Sequence, residues 1–167
     1  MDLKQSYVRR RAGHVKLILV AVLLVAGVAF TISRIRAGRL PTMQRADFEA
    51  AKANWASQQM TDYEITVEVS GMQPGIYEVT VEGQTAVAAT FDGRSLKRQR
   101  TFGTWAVTGM FDTLARDLET NEGEHYLMLG AEFHPEYGIP MKYERIEMRT
   151  GAHDALQWKV TRFHPQP

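Results

Sequence analysis

The apolar residues near the start of the chain form one long run. Leu17 to Ile32 contains no charged side chain, and Lys and Arg residues stand on both sides of it. As a helix the run would rise about 24 Å, slightly less than the hydrocarbon core of a bilayer, which is about 30 Å thick. With its flanking residues, the pattern predicts a single-pass N-terminal transmembrane helix, an uncleaved signal anchor, over residues 15–33. A cleaved signal peptide and a buried soluble helix are the alternatives.

The basic residues around this run predict its orientation. Arg9, Arg10 and Arg11 cluster on the short tail of residues 1–14, whereas the basic residues after the run are more dispersed. Because positive charge is retained on the cytoplasmic side of a membrane, we expect the tail in the cytoplasm and the C-terminal domain outside it. The predicted location is the cell inner membrane, with a single span and an extracytoplasmic domain.

The remainder of the chain predicts one domain after a juxtamembrane linker. Gly38 and Pro41 interrupt regular structure in residues 34–45, and residues 46–164 form the domain. A helix comes first, with its apolar residues at helical spacing. Apolar and polar residues then alternate with the period of two that is typical of half-buried strands. The apolar rows are Tyr63, Ile65, Val67 and Val69; Tyr77, Val79 and Val81; and Thr85, Val87, Ala89 and Phe91.

A second helix and three further strands complete the pattern. Helical spacing recurs in residues 108–120, and alternation returns in residues 126–134, 142–148 and 156–160. In the second of these strands Ile146 and Met148 are predicted to face the core, whereas Tyr143 is out of phase, which predicts a bulge or a rim position. The predicted fold class is α+β, with the transmembrane helix followed by a two-layer domain. In that domain an antiparallel sheet packs against two helices, in the order helix, three or four strands, helix, three strands.

The amino-acid composition and the absence of known motifs exclude several kinds of functional site. The chain of 167 residues contains no cysteine, so disulfides, cysteine-ligated zinc and a lipid-modified N-terminal cysteine are excluded. The formal net charge of +1 gives no argument for nucleic acid, and no nucleic-acid partner is predicted. Glycine-rich phosphate loops, nucleophile elbows and His-Glu-x-x-His motifs are absent from the sequence. We therefore predict no catalytic residue and no cofactor.

One segment near the third turn carries the candidate site residues. Glu132 and His134 stand at i and i+2 near the end of a predicted strand, so their side chains share a face and could ligate one metal ion. The alternative is a solvent-facing strand end that leads into a turn. Glu136, Tyr137 and Tyr143 are the candidates for a surface site beside them.

The polar face of the predicted sheet offers a second hypothesis. Glu64, Glu68, Glu78 and Glu82 alternate with the apolar rows and could form an acidic patch for a cation or a partner. The alternative is cross-strand charge pairing on a solvated face.

Several short motifs occur in an order that resembles a known kind of domain. They are Trp55, Asp62-Tyr63-Glu64, Asp92-Gly93, Met110-Phe111-Asp112-Thr113-Leu114 and Phe133-His-Pro-Glu-Tyr-Gly-Ile-Pro140. Over residues 47–163 the chain resembles an uncharacterised family of bacterial envelope domains with a membrane or lipoprotein anchor. Many members carry cysteines near the position of Gly71 to Gly75, where this chain has none, so no role of those cysteines transfers. The resemblance implies no established activity.

These observations predict an uncharacterised membrane-anchored envelope protein. Its domain is expected to be non-catalytic and to bind a partner protein or the cell wall. A small-ligand or metal-binding envelope domain is the first alternative, and an enzyme of unknown class is the second. The membrane itself is an expected partner, through the single span.

Overall fold

The computed structural model describes residues 40–71, 73–97, 99–124, 126–149 and 155–166 of the chain. Leu40–Pro167 form one compact unit. The described residues of this unit form two α-helices, one 3-10 helix and seven strands. They are α1 (Arg45–Ser57), β1 (Tyr63–Gly71), β2 (Gly75–Glu82), β3 (Thr85–Phe91), β4 (Arg94–Ser95), the 3-10 helix (Gln99–Trp105), α2 (Val107–Glu124), β5 (Leu127–Phe133), β6 (Pro140–Glu147) and β7 (Ala155–Pro165).

All seven strands belong to one sheet with the order β4-β3-β2-β1-β7-β6-β5. Every strand pairing is antiparallel. The C-terminal strand β7 lies between β1 and β6, so it joins the first group of strands to the last. This pairing places residues that are about 90 positions apart side by side, such as Val69 and Trp158.

The fold class predicted from the sequence is wrong. That prediction combined a transmembrane helix with a two-layer α+β domain, whereas the described unit is a seven-stranded, antiparallel sheet with two α-helices. Within the described ranges, no helix combines the length and the apolar character needed to cross a membrane. The predicted span over residues 15–33 lies outside the described residues. Local alternation identifies strands one at a time, and it cannot show their order in the sheet, where β7 lies between β1 and β6.

The core lies between one face of the sheet and the helices. On β1, Ile65 and Val67 are buried as the alternation predicts, and the buried residues of α2 pack opposite the sheet. Aromatic contacts join the layers, because the Trp55 ring of α1 meets the Tyr63 ring of β1 edge-on at 5.5 Å. Burial of these apolar side chains is the main force that holds the helices on this face.

The opposite face of the sheet is polar, and its charges pair across strands. Lys159 on β7 lies 2.8 Å from Glu68 on β1, and Lys142 on β6 lies 2.7 Å from Glu132 on β5. Glu64 faces Arg162 at 4.0 Å. Cations of β7 therefore lie beside two of the four glutamates proposed as an acidic patch. This arrangement favours cross-strand pairing on a solvated face.

The side-chain orientation predicted for β6 is wrong. Tyr143 is fully buried, whereas Met148 is 54% exposed. Tyr143 pairs in register with Ala131 on β5 and Trp158 on β7, which both face the core. Arg145 is the next residue of β6 on the core side. The prediction assumed that apolar side chains face inward, and it fails here because the inward row of β6 is polar. Tyr143 therefore does not belong to a surface site.

The segment before α1 protects the free edge of β5. The Met43 N–H donates to the Leu129 carbonyl oxygen at 2.9 Å, and the Ala131 N–H donates to the Pro41 carbonyl oxygen at 3.1 Å. Met43 is buried. An unpaired strand edge is prone to pair with other chains, and these bonds occupy it. Residues that the sequence analysis assigned to the linker therefore belong to the fold.

A buried tyrosine caps the start of α2. The Val107 N–H donates to the Tyr63 hydroxyl oxygen at 3.0 Å. The first N–H groups of a helix have no partner within the helix, and Tyr63 supplies one from β1. Burial raises the pKa of Tyr63 to about 12, and the bond from Val107 opposes this rise.

We expect alkaline pH to destabilise the domain through Tyr63. Because the pKa of Tyr63 is higher in the folded state than in the unfolded state, its stabilisation is present below pH 10 and is lost as pH rises towards 12. The loss is up to about 2.5 kcal/mol from this group. Urea unfolding of the full chain at pH 9 and pH 11.5 measures it. Tyr63→Phe should be less stable at pH 9 but should lose less between the two pH values; an equal loss contradicts the assignment.

Candidate functional site

The connection between β5 and β6 is a tight turn over residues 134–138. The His134 N–H donates to the Ile139 carbonyl oxygen, and the Gly138 N–H donates to the His134 carbonyl oxygen, both at 2.8 Å. Gly138 has φ of +75°, a conformation that glycine adopts at little cost. These bonds make the turn a well-defined structure rather than an open loop.

The amide side chains of Asn54 in α1 and of Gln58, which follows the last residue of α1, hold this turn against the helix. Asn54 Nδ2 donates to the carbonyl oxygens of Pro135 and Glu136, and Gln58 Nε2 donates to the Glu136 carbonyl oxygen at 3.1 Å. Gln58 Nε2 also donates to Asn54 Oδ1. Residues at i and i+4 of a helix share a face, so the two amides reach the turn together.

The imidazole of His134 takes part in the same turn. Its Nδ1 accepts hydrogen bonds from the N–H groups of Glu136 and Tyr137, at 3.2 and 3.3 Å. The ring stacks on the Tyr137 ring with 4.8 Å between centroids. An imidazole nitrogen that accepts hydrogen bonds carries no proton, so in the neutral ring the proton lies on Nε2. His134 therefore presents a single donor to a ligand.

This tautomer disfavours the metal site proposed from the sequence. A metal bound to Nε2 needs the lone pair there, which would place the proton on Nδ1 against two backbone donors. Glu132 is already bound to Lys142 at 2.7 Å. Among the described residues, no group of three His, Asp or Glu side chains could hold a metal ion.

A shallow cleft of about 260 Å³ lies between α1 and the turn. Asp47 lies in the first turn of α1 and forms an exposed part of the cleft wall. The cleft thus combines a carboxylate, an imidazole and small apolar side chains. Its lining residues are Asp47, Ala50, Ala51, Asn54, Phe133, His134, Pro135 and Gly138.

The structure brings only part of the predicted site together. His134 lines the cleft, exposed Glu136 and half-buried Tyr137 belong to the turn, and Glu132 precedes it on β5. The sequence analysis missed Asp47 and the amides of Asn54 and Gln58. The spacing of four positions between these two amides was the available signal, and nothing in the sequence shows that a turn about 80 residues later packs there.

Tyr143, the remaining candidate, lies in a separate buried polar cluster. Its hydroxyl donates to Asp117 Oδ2 at 2.6 Å, and Arg145 Nη1 lies 3.3 Å from Asp117 Oδ1. Burial, and then the negative charge of Asp117, raise the pKa of Tyr143 far above its ordinary value. Tyr143 also packs on the Trp158 ring, with 4.4 Å between centroids. These contacts indicate that the cluster joins α2 to the sheet.

We expect two substitutions of His134 to show how much its Nδ1 acceptor stabilises the turn. His134→Ala removes the acceptor of two N–H groups and should lower the free energy of unfolding by about 1–2 kcal/mol. His134→Asn should cost less, because an asparagine side-chain oxygen can accept from backbone groups that follow it in a turn. Urea midpoints of the two variants measure the difference, and equal losses would contradict a role for Nδ1.

A family model matches residues 47–165 of the chain, and its description is a family of unknown function, DUF6174. No curated protein and no solved structure matches the chain. The match covers more than half of the chain and includes most of α1, the turn and the buried cluster, so the resemblance to an uncharacterised family is confirmed. It carries no information about an envelope anchor. Because the family model matches residues 47–165, which hold the cleft, this chain belongs to the family of unknown function DUF6174.

Proposed function

We propose that this domain is a non-catalytic binding domain that holds part of an envelope protein or of the cell wall in the cleft between α1 and the turn. The observation that carries the proposal is the preorganisation of the cleft. Its wall is held by the amides of Asn54 and Gln58, and the orientation and tautomer of His134 follow from two backbone bonds. A site held in one geometry binds at a lower entropic cost.

The same geometry favours binding over acid–base catalysis. A general base needs a free lone pair near the proton that it removes, whereas Nδ1 of His134 is occupied and Nε2 carries the proton. Asp47 is exposed on α1, and no hydrogen bond to the imidazole is found for it within the described part of the chain. The cleft therefore offers one donor and one acceptor, which suits recognition.

Photo-crosslinking from within the cleft tests this proposal. A photoreactive residue at Ala50, an exposed residue that lines the cleft, should give an adduct with an envelope protein or a cell-wall fragment in intact cells. The same residue at exposed Glu82, on the polar face of the sheet, is the control. Mass spectrometry identifies the adducts. Recovery of uncrosslinked monomer from the Ala50 variant, or the same adduct from both sites, would overturn the proposal.

The location remains a prediction from the sequence. It depends on the apolar run and its basic flanks in residues 1–39, which lie outside the described residues. Fractionation of cells that express the full chain should place it with the inner membrane. A reporter enzyme fused to its C-terminus should show activity outside the cytoplasm. Reporter activity in the cytoplasm would contradict the predicted orientation.

A further inference from the structure

The polar side chains that line the cleft differ in which hydrogen-bonding atoms are already engaged within the fold. Asn54 has both of its amide atoms engaged, because Nδ2 donates to the turn and Oδ1 accepts from Gln58. His134 has only its Nε2–H left. Within the described part of the chain, no Lys or Arg forms an ion pair with Asp47, since Arg45 pairs with Glu49 and Glu122 instead. Asp47 and His134 both line the cleft, and among the described residues no hydrogen bond or ion pair occupies the Asp47 carboxylate or the His134 Nε2–H.

These two groups have opposite requirements. The carboxylate of Asp47 accepts hydrogen bonds and attracts a cation, whereas Nε2–H of His134 donates to an oxygen. Ala50, Ala51 and Phe133 supply apolar surface in the same cleft. The cleft is smaller than the 300–1,000 Å³ that is typical of sites for drug-sized molecules. A ligand that fits is short, with a cationic donor, an acceptor oxygen and a small apolar body.

From this complementarity we infer that the cleft binds the free amino terminus of a short peptide, with the ammonium at Asp47 and a carbonyl or carboxylate oxygen at Nε2–H of His134. The inference rests on the proposed binding function and names the chemistry of the partner. Charge complementarity at Asp47 carries it, because a charge-assisted hydrogen bond is about twice as strong as a neutral one. Small side chains next to the amino terminus suit the space beside the two alanines.

Titration of the full chain with L-alanyl-L-alanine tests the inference. Calorimetry should show saturable binding, and N-acetylation of the dipeptide should weaken it by about two- to fivefold, because the ion pair between the ammonium and an exposed carboxylate is lost. Asp47→Asn should weaken binding of the free dipeptide by a similar factor and leave the weak binding of the acetylated form unchanged. Glu49→Gln, also in α1 but outside the cleft, is the matched control and should bind normally.

A variant of His134 tests the other end of the ligand. His134→Asn keeps an acceptor for the turn but removes the Nε2–H donor, so it should lose less stability than His134→Ala and bind the dipeptide several-fold more weakly than the wild type. Equal affinity for the free and acetylated dipeptides, or no binding at roughly 10 mM, would overturn the inference. If the Ala50 adduct still forms in that case, the proposed function survives with a different ligand. If the adduct is also absent, both fail.

Discussion

Replacing Asp117 with alanine is expected to lower the free energy of unfolding by about 3–5 kcal/mol. Asp117 is 5% exposed and accepts the Tyr143 hydroxyl while it pairs with Arg145. Its removal breaks a buried pair and leaves polar groups in the core with poorer partners. Such groups cost far more than the net gain of one hydrogen bond. Urea unfolding of the full chain measures the change from the shift in midpoint at constant slope.

Two further variants distinguish this pair from a general effect on α2. Asp112→Ala changes an exposed carboxylate of the same helix and should stay within about 0.5 kcal/mol of the wild type. Asp117→Asn keeps an acceptor for Tyr143 but loses the charge, so its effect should be intermediate. A loss below about 1 kcal/mol for Asp117→Ala would contradict a buried pair that joins α2 to β6.

Gly138→Ala is the second change with a large expected effect. Its φ of +75° disfavours any side chain, and a Cβ there would overlap the Ala51 carbonyl oxygen and lie 3.0 Å from the Trp55 nitrogen. The turn would have to move away from α1 and stretch its bonds to Asn54. We expect a loss of about 3–4 kcal/mol from the backbone strain and the weakened bonds together.

A second glycine separates the two contributions. Gly93 has φ of +73°, and a Cβ there would meet no atom within 4 Å. Gly93→Ala therefore carries the backbone cost alone, about 1–2 kcal/mol. The additional loss in Gly138→Ala measures how closely the turn packs on α1. Similar midpoints for the two variants would show that this packing contributes little.

The inward rows of β1 and β2 could be predicted from the sequence because each strand buries one face. The buried residues of β1 alternate without interruption over its first seven positions. On β3 the prediction fails at Val87, which is 41% exposed. A register shift opposite Thr80 and Val81 brings Ala86 rather than Val87 beside Val81. Such an irregularity depends on the neighbouring strand, so the period of one strand cannot reveal it.

The candidate site could be predicted only in part. The sequence predicts His134 and Glu136 as site candidates because metal-ligating side chains cluster near the end of a predicted strand, and Tyr137 because an aromatic residue there could line a groove; both are local signals. The partners that give the turn its chemistry are distant along the chain, since Asn54 and Pro135 are 81 positions apart. The tautomer of His134 depends on backbone groups whose positions follow from the folded turn.

The sequence by itself determined where the two α-helices and most strands of the domain lie, because hydrophobic periodicity reflects which face of each element is buried. It did not predict the 3-10 helix at Gln99–Trp105, which lies where a fourth strand was considered. It also excluded cysteine chemistry, because the chain has no cysteine. Only the tertiary structure decided that β7 lies between β1 and β6 in the sheet, that Tyr143 faces Asp117 in the core, and that α1 forms a cleft with the turn. These features arise from contacts between distant residues, whose choice of partner depends on the packing of the whole domain.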